Sequence, residues 1–230
     1  LQRYLEGEPL AYLEGIVGFY GRMFAVDSRV LIPRADSECV VEACLDWAAQ
    51  QEPGCLVDVG TGSGCLLLTL LLELPEWRGI GIDFSAAALQ VAEANRQELS
   101  LQDRCTLMQG SWLSPMAHTE GLDLVISNPP YVVPGEELGP GVEEFEPHLA
   151  LFTPEQAAMG PYRSILEQAH GSLPPGGALL FAVGAQRAAQ VAETGRAGGS
   201  RHREPLCDLG GGERAVSLHR RACGCRSRLS

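Results

Sequence analysis

The chain predicts an α/β fold built on a doubly wound, mostly parallel sheet, and three observations carry that expectation. Short apolar runs alternate with helical stretches between residues 38 and 183, the pattern that lays helices on both faces of a parallel sheet. One run, Cys55–Val59, opens directly into Gly60-Thr61-Gly62-Ser63-Gly64 and then an apolar stretch from Cys65 to Leu74, a strand–turn–helix order. The 230 residues, 45% of them hydrophobic, are enough to bury one sizeable core.

Residues 1–35 read as a short helix end followed by an extended linker rich in aromatic residues and glycine. Asp36 or Ser37 can cap a helix over 38–51, with Val40, Cys44, Trp47 and Ala48 on one face and Pro53-Gly54 as its stop. Cys55–Val59 is the first strand of the sheet, and 79–83 is the second, ending on Asp83. A helix over 86–99 capped by Ser85 leads to the strands Cys105–Gln109 and 122–127. A helix over 156–173, the turn Pro174-Pro175-Gly176-Gly177, a strand at 178–183 and a late strand at 213–219 complete the pattern. Residues 195–204 are polar and glycine-rich. The tail 222–230 is expected to fray. The acidic, glycine-rich stretch 134–147 fits a solvated loop and a lid equally well.

The chemistry concentrates in two places. Glycines at 60, 62 and 64 let backbone approach a ligand closely, and the following helix start offers N–H groups to a carboxylate or phosphate. Asp83 stands near the ~20-residue offset at which an acidic side chain binds ribose hydroxyls, so a nucleoside is implied. A glycine turn of this kind serves a dinucleotide equally well. The second place is Asn128-Pro129-Pro130-Tyr131, directly after the apolar run ending at Ser127. The two prolines stiffen the loop and leave carbonyl oxygens free to accept from a substrate amine, Asn128 adds a side-chain acceptor, and Tyr131 adds a flat face.

Asn-Pro-Pro-Tyr at a strand end resembles the pattern of amino-methyltransferases, and its order after the glycine turn and the acidic residue is similar to that of S-adenosylmethionine (SAM) enzymes acting on nitrogen attached to an sp² carbon. Gly7-Glu8-Pro9-Leu10-Ala11-Tyr12, Leu31-Ile32-Pro33-Arg34-Ala35-Asp36-Ser37-Glu38, Phe145-Glu146-Pro147 and Asp208 with Gly212-Glu213-Arg214 resemble the PrmC/HemK family of release-factor glutamine methyltransferases over nearly the whole chain. The resemblance implies a Rossmann-like methyltransferase fold with a seven-stranded sheet whose last strand is antiparallel. It implies SAM as cofactor, with Gly60, Thr61, Gly62, Ser63 and Gly64 at its methionine end, Asp83 at the ribose and Trp112 at the adenine side. Asn128, Pro129, Pro130 and Tyr131 would bind the substrate amide, with Asn128 also beside the cofactor and Asn128, Pro129 and Tyr131 catalytic. Peptide-chain release factors are the implied partners. Domains follow: 1–35 as linker and remnant of a helical substrate-recognition domain, 36–221 as the methyltransferase domain, and 222–230 as tail. Three positions depart from the family pattern: Ala35 replaces a proline, Ser111 an aspartate before Trp112, and Ala182 a glutamate at the wall of the pocket. Two rivals stand beside this expectation, a nucleic-acid amino-methyltransferase and a SAM-binding homologue without catalysis.

All 17 basic residues are arginines, and the net charge is −12. The eight arginines from Arg196 onward outweigh Glu204, Asp208 and Glu213 by five, which leaves −17 on residues 1–195. An acidic body weighs against direct nucleic-acid binding. Cys39, Cys44, Cys55, Cys65 and Cys105 sit singly among apolar residues and read as small buried hydrophobes, which suits a reducing cytoplasm, with organelle import left open. Cys223-Gly224-Cys225 is too close-set and too isolated for zinc, so no metal is expected. No apolar run reaches the ~18 residues of a membrane span. Arg34 and Glu38 are placed to pair across the linker.

Overall fold

Seven strands form one sheet in the computed structural model, which describes residues 2–116, 121–136, 138–153, 158–184, 186–197, 200–203 and 213–220. A two-stranded hairpin, β1 (Ile16–Phe19) and β2 (Arg22–Ala25), precedes it. The large sheet contains β3 (Cys55–Val59), β4 (Arg78–Asp83), β5 (Cys105–Gln109), β6 (Leu124–Ser127), β7 (Ala178–Gly184), β8 (Ser200–Arg203) and β9 (Glu213–Arg220), in the order β5-β4-β3-β6-β7-β9-β8. The pairs β5–β4, β4–β3, β3–β6 and β6–β7 are parallel, and β9 runs antiparallel to β7 and β8. The order turns back between β3 and β6, so their carboxyl ends flank the crevice where doubly wound sheets bind ligands.

Helices cover both faces. α3 (Glu38–Ala48) and α4 (Cys65–Glu73) lie on one face, where Val40, Cys44, Trp47 and Ala48 are all buried as their spacing predicts. α8 (Gly160–Ser172) and α9 (Ala188–Ala197) lie on the other, and Tyr162, Ile165, Val191 and Ala192 pack there against Phe181 and Val183. α5 (Ala86–Glu98) follows β4, and Ser85 caps it by accepting the Ala88 N–H at 3.2 Å. α3 stops at Ala48 rather than at residue 51. The expected start of α8 at Gln156 lies outside the described residues, as do Asp208, Gly212 and the tail 222–230.

Two segments differ from expectation. The stretch 1–35 is no plain linker: it holds α1 (Gln2–Leu5), α2 (Leu10–Glu14) and the hairpin. Tyr20 and Gly21, both at positive φ, make the two-residue turn that matches strand twist, and Phe19 and Phe24 drop into the core beside α3. The second difference is the polar stretch from Gly195, where α9 runs on to Ala197 and β8 follows at Ser200–Arg203. Glycine is tolerated in that helix because it meets a strand closely: a Cβ on Gly195 would lie 2.5 Å from the Leu218 side chain.

Gly79 and Gly81 on β4 are packing glycines as well. A Cβ on Gly81 would stand 2.7 Å from Leu107, 2.9 Å from Leu67 and 3.1 Å from Thr61, so α4 and the turn before it seat against bare backbone. Gly81→Ala is expected to cost about 1–3 kcal/mol of stability through overpacking, read as a lower urea midpoint at unchanged slope.

Candidate functional site

At the carboxyl ends of β3, β4 and β6 lies a cavity of about 410 Å³, within the size range of small-molecule sites. Gly60, Thr61, Gly62 and Ser63 form its floor, Asp83, Phe84 and Ser85 one side, Ser111 and Trp112 another, and Asn128 and Pro130 a third. Eight of the eleven sequence-predicted site residues therefore meet in one space. Gly64 stands just behind as the left-handed residue that starts α4. Pro129 and Tyr131 do not line the cavity.

The glycine turn spends its amides differently from the sequence expectation. Gly60 and Thr61 donate to the Ile82 carbonyl at 2.8 and 3.0 Å, Gly64 donates to Thr61 at 2.8 Å, and Gly62 donates to Asp83 Oδ2 at 2.9 Å. A ligand thus meets a flat backbone surface beside the positive end of α4. Asp83 is pinned at both oxygens, since Oδ1 accepts the Ser85 N–H at 2.8 Å. Burial raises its pKa against these hydrogen bonds. Each oxygen keeps a further lone pair for a hydroxyl donor.

Asp58 lies deeper, 1% exposed at the end of β3 and outside the cavity lining. One oxygen accepts the Thr61 hydroxyl at 2.8 Å; the other has no partner of good hydrogen-bond geometry, with only the Leu67 N–H of α4 near enough to favour the charged form. Burial pushes its pKa up to about 7, helped by the nearby charge of Asp83. Asn95 on α5 secures the turn from the other side. Its amide donates to Ser63 O at 2.8 Å and Ala25 O at 3.0 Å, and its oxygen accepts the Ala25 N–H at 2.7 Å.

The loop after β6 is held just as closely. Ser127 donates to Val59 O at 2.6 Å, and Asn128 Nδ2 lies 3.5 Å from Ser37 Oγ. Ser37 occupies the N-cap position of α3 but makes no side-chain cap bond. The Tyr131 ring faces the Arg187 guanidinium, 5.6 Å from its centroid, and Arg187 pairs with Glu136. Tyr131 is thus a loop anchor rather than a cavity wall. Trp112 adopts φ 50°, an unusual conformation for a bulky residue, and Gln168 steadies the loop by accepting the Leu113 N–H at 2.9 Å.

A fourth wall was not legible as such: Arg29, Val30, Leu31, Pro33 and Arg34 from the N-terminal segment, and Pro147, Leu149, Ala150 and Phe152 from beyond the acidic loop. They are clamped together by Glu146, 3% exposed, which accepts the Ile32 N–H at 3.0 Å and pairs with Arg34. The expected Arg34–Glu38 pair is replaced by this one, and Glu38 instead accepts the Tyr20 N–H at 2.8 Å. Part of the acidic stretch is thereby a structural anchor, ending the short helix α6 (Val142–Phe145) just before α7 (His148–Leu151). The exposed Phe84 and Leu149 form apolar lips, and the position of Phe84 directly after the acidic strand end was the signal available for it.

Of the departures from the family pattern, Ser111 lines the cavity, whereas Ala182 packs into the core with Leu180 and Ala215 and does not. A glutamate at 182 would need its own partner there. Cys65 also lines the cavity, but burial pushes its thiol up to about 12, so it carries no thiolate. Of the five cysteines expected to be buried, Cys39, Cys44 and Cys105 are, whereas Cys55 and Cys65 are only partly buried because they stand at the start of β3 and of α4. Among the described residues no three His, Cys, Asp or Glu side chains converge on a metal site, and no helix is long and apolar enough to cross a membrane.

Residues 54–201 match the family model of a methyltransferase domain. The chain is 39% identical over 213 residues to a release factor glutamine methyltransferase of Cereibacter sphaeroides, covering 91% of this chain and 74% of that protein. A namesake from Moorella thermoacetica is 39% identical over 96% of this chain and 78% of its own length. The chain belongs to the release factor glutamine methyltransferase family. A bifunctional methyltransferase of Rickettsia typhi is 33% identical over 84% of this chain, which spans only 41% of that longer protein. Among solved structures, a methyltransferase from Pyrococcus furiosus superposes with a TM-score of 0.63 at 13% identity, covering 96% of this chain and 98% of its own. An O-methyltransferase family protein from Burkholderia thailandensis gives 0.56 at 17% identity over 82% of this chain and 57% of its own. These two share the Rossmann-like fold, in line with the predicted fold class.

Asp58 makes the stability of this site depend on pH. Its folded pKa of about 7 lies above the ordinary 3.8, so the folded chain binds the proton more tightly than the unfolded one. The stabilisation is complete below 3.8 and is lost as pH rises through about 7. Asp58→Asn, which cannot ionise, is expected to gain stability relative to the parent across that window. Melting temperatures of both proteins at closely spaced pH values read this directly, and parallel curves would contradict the burial of an ionisable Asp58.

Proposed function

We propose that the chain methylates the side-chain amide nitrogen of the glutamine in the Gly-Gly-Gln motif of peptide-chain release factors, with SAM as methyl donor. One observation carries the assignment: Asn128 and Pro130 stand in the wall of the same cavity as the Gly60–Ser63 turn and Asp83. Membership of the release factor glutamine methyltransferase family supports it. The cavity and its donors suit SAM, because the first turn of α4 can take a carboxylate, Asp83 the ribose hydroxyls, and Phe84 with Trp112 an aromatic base. The cytoplasm is the proposed compartment, which suits the described cysteines, none of them joined in a disulfide.

SAM supplies a methyl group on a sulfonium whose sulfur departs with the bonding electrons. What the chain has to provide is orientation, because an amide lone pair is delocalised into its carbonyl and attacks poorly. Asn128 Oδ1 and the Pro129 carbonyl accept the two amide hydrogens, which aims the nitrogen at the methyl carbon and stabilises the positive character that develops on it. The new N–CH₃ bond replaces an N–H, and that proton passes to solvent. Tyr131 contributes through the loop, held under Arg187 so that the two prolines before it keep their place.

The assay is incubation with SAM and a release factor, with any added methyl group mapped by mass spectrometry; a methyl on the Gly-Gly-Gln glutamine is expected. Asn128→Ala is expected to lose about 100-fold to 1,000-fold in turnover while its SAM affinity stays near the parent's. A variant that turns over at the parental rate would remove the amide clamp from the mechanism. Asp83→Ala is expected to weaken SAM binding by about 1.5–3 kcal/mol in isothermal titration, the worth of a charge-assisted hydrogen bond. Unchanged affinity would overturn the ribose assignment.

A further inference from the structure

We propose that Ser37 is a positioning residue for methyl transfer, holding the Asn128 side chain so that its oxygen is presented to the nitrogen that is methylated. The inference rests on the role given to Asn128 above and deepens it. Its starting observation is the approach of Asn128 Nδ2 to Ser37 Oγ at 3.5 Å, across 91 residues of sequence. With the amide NH₂ directed at Ser37, Oδ1 is left as the acceptor. The reverse orientation would set an NH₂ against the NH₂ of the substrate, two donors with nothing between them to accept.

A second observation concerns what Ser37 does not do. Serine at an N-cap position ordinarily accepts an N–H of the helix it precedes, and it does so from the β region. Ser37 stands at φ −71°, ψ −11°, in helical conformation at the end of the short turn Ala35–Ser37, and makes no cap bond. The residue is 4% exposed and lines the cavity. The sequence position is that of a cap, and the geometry is that of a cavity residue.

The third observation is rigidity on both sides of Ser37. Arg34, three residues before, pairs with the buried Glu146, and the Ser37 N–H donates to Arg34 O at 3.1 Å. Glu38, one residue after, accepts the Tyr20 N–H at 2.8 Å. Ser37 is therefore fixed by contacts independent of the Asn128 loop, so the amide takes its orientation from the hydroxyl. The N-terminal segment thereby reaches the reacting centre through one side chain.

The test is a double-mutant cycle on the full chain with the parent, S37A, N128A and the S37A/N128A pair, and with S37T as the conservative variant. Single-turnover methyl transfer from tritiated SAM to a release factor is measured beside SAM affinity and melting temperature. A contact at the long end of hydrogen bonding predicts a modest effect: S37A slows transfer by about three- to tenfold. SAM affinity and melting temperature stay at parental values, and S37T recovers the rate. In the N128A background S37A adds nothing, because its only route to the chemistry has gone. Parental turnover in S37A, an undiminished effect in the N128A background, or a loss that tracks melting temperature or SAM affinity would each overturn the proposal. Parental turnover in N128A itself is a separate result, which removes the catalytic Asn128 and this inference with it.

Discussion

A carboxylate buried in protein must be paired where it stands, and the cavity depends on how Glu146 meets that demand. Its oxygens take the Ile32 N–H and the Arg34 guanidinium, joining segments more than a hundred residues apart. Breaking such a pair leaves an uncompensated buried charge, so the two segments stay together. One wall of the cavity comes from each side of this contact. Tyr12 adds to the same anchor: its hydroxyl donates to Val30 O at 2.6 Å, and burial beside Glu146 raises its pKa.

The floor is held by polar side chains whose bonds are made to backbone. Asp83 fixes Gly62 and Ser85, and Asn95 fixes Ser63 and both backbone groups of Ala25. Such bonds set the shape of a glycine turn that has few side chains of its own to pack. They also explain why the N-terminal hairpin belongs with the rest of the fold: through Asn95 it touches the turn, and through Phe19 and Phe24 it fills the core. A site built this way is preorganised, which is what the proposed amide methylation needs, since orientation supplies much of the rate.

Arg187 and Tyr131 illustrate how a motif residue can serve its loop. The ring lies under a guanidinium that is itself paired with Glu136, so the loop after β6 is tied to the end of β7. The acidic stretch 134–147 thus contains two carboxylates with structural partners among the described residues, Glu136 and Glu146, whereas Glu143 and Glu144 are exposed.

By itself the sequence determined the sheet, the helices on its faces and eight of the residues that meet in the cavity, because apolar periodicity, a glycine turn and a proline-stiffened loop are local signals. Cys55–Val59 and the Ser85 cap needed only their neighbours to be legible. The tertiary structure alone decided which long-range partners close the site: Glu146 with Arg34 instead of Glu38 with Arg34, Tyr131 under Arg187, and Ser37 beside Asn128. Pairing of charged and polar side chains depends on which surfaces the fold brings together, and residues 91 to 114 positions apart carry no local trace of it. The helix through Gly195 was hidden for the same reason, since a glycine that admits Leu218 reads in sequence only as a break in the helix.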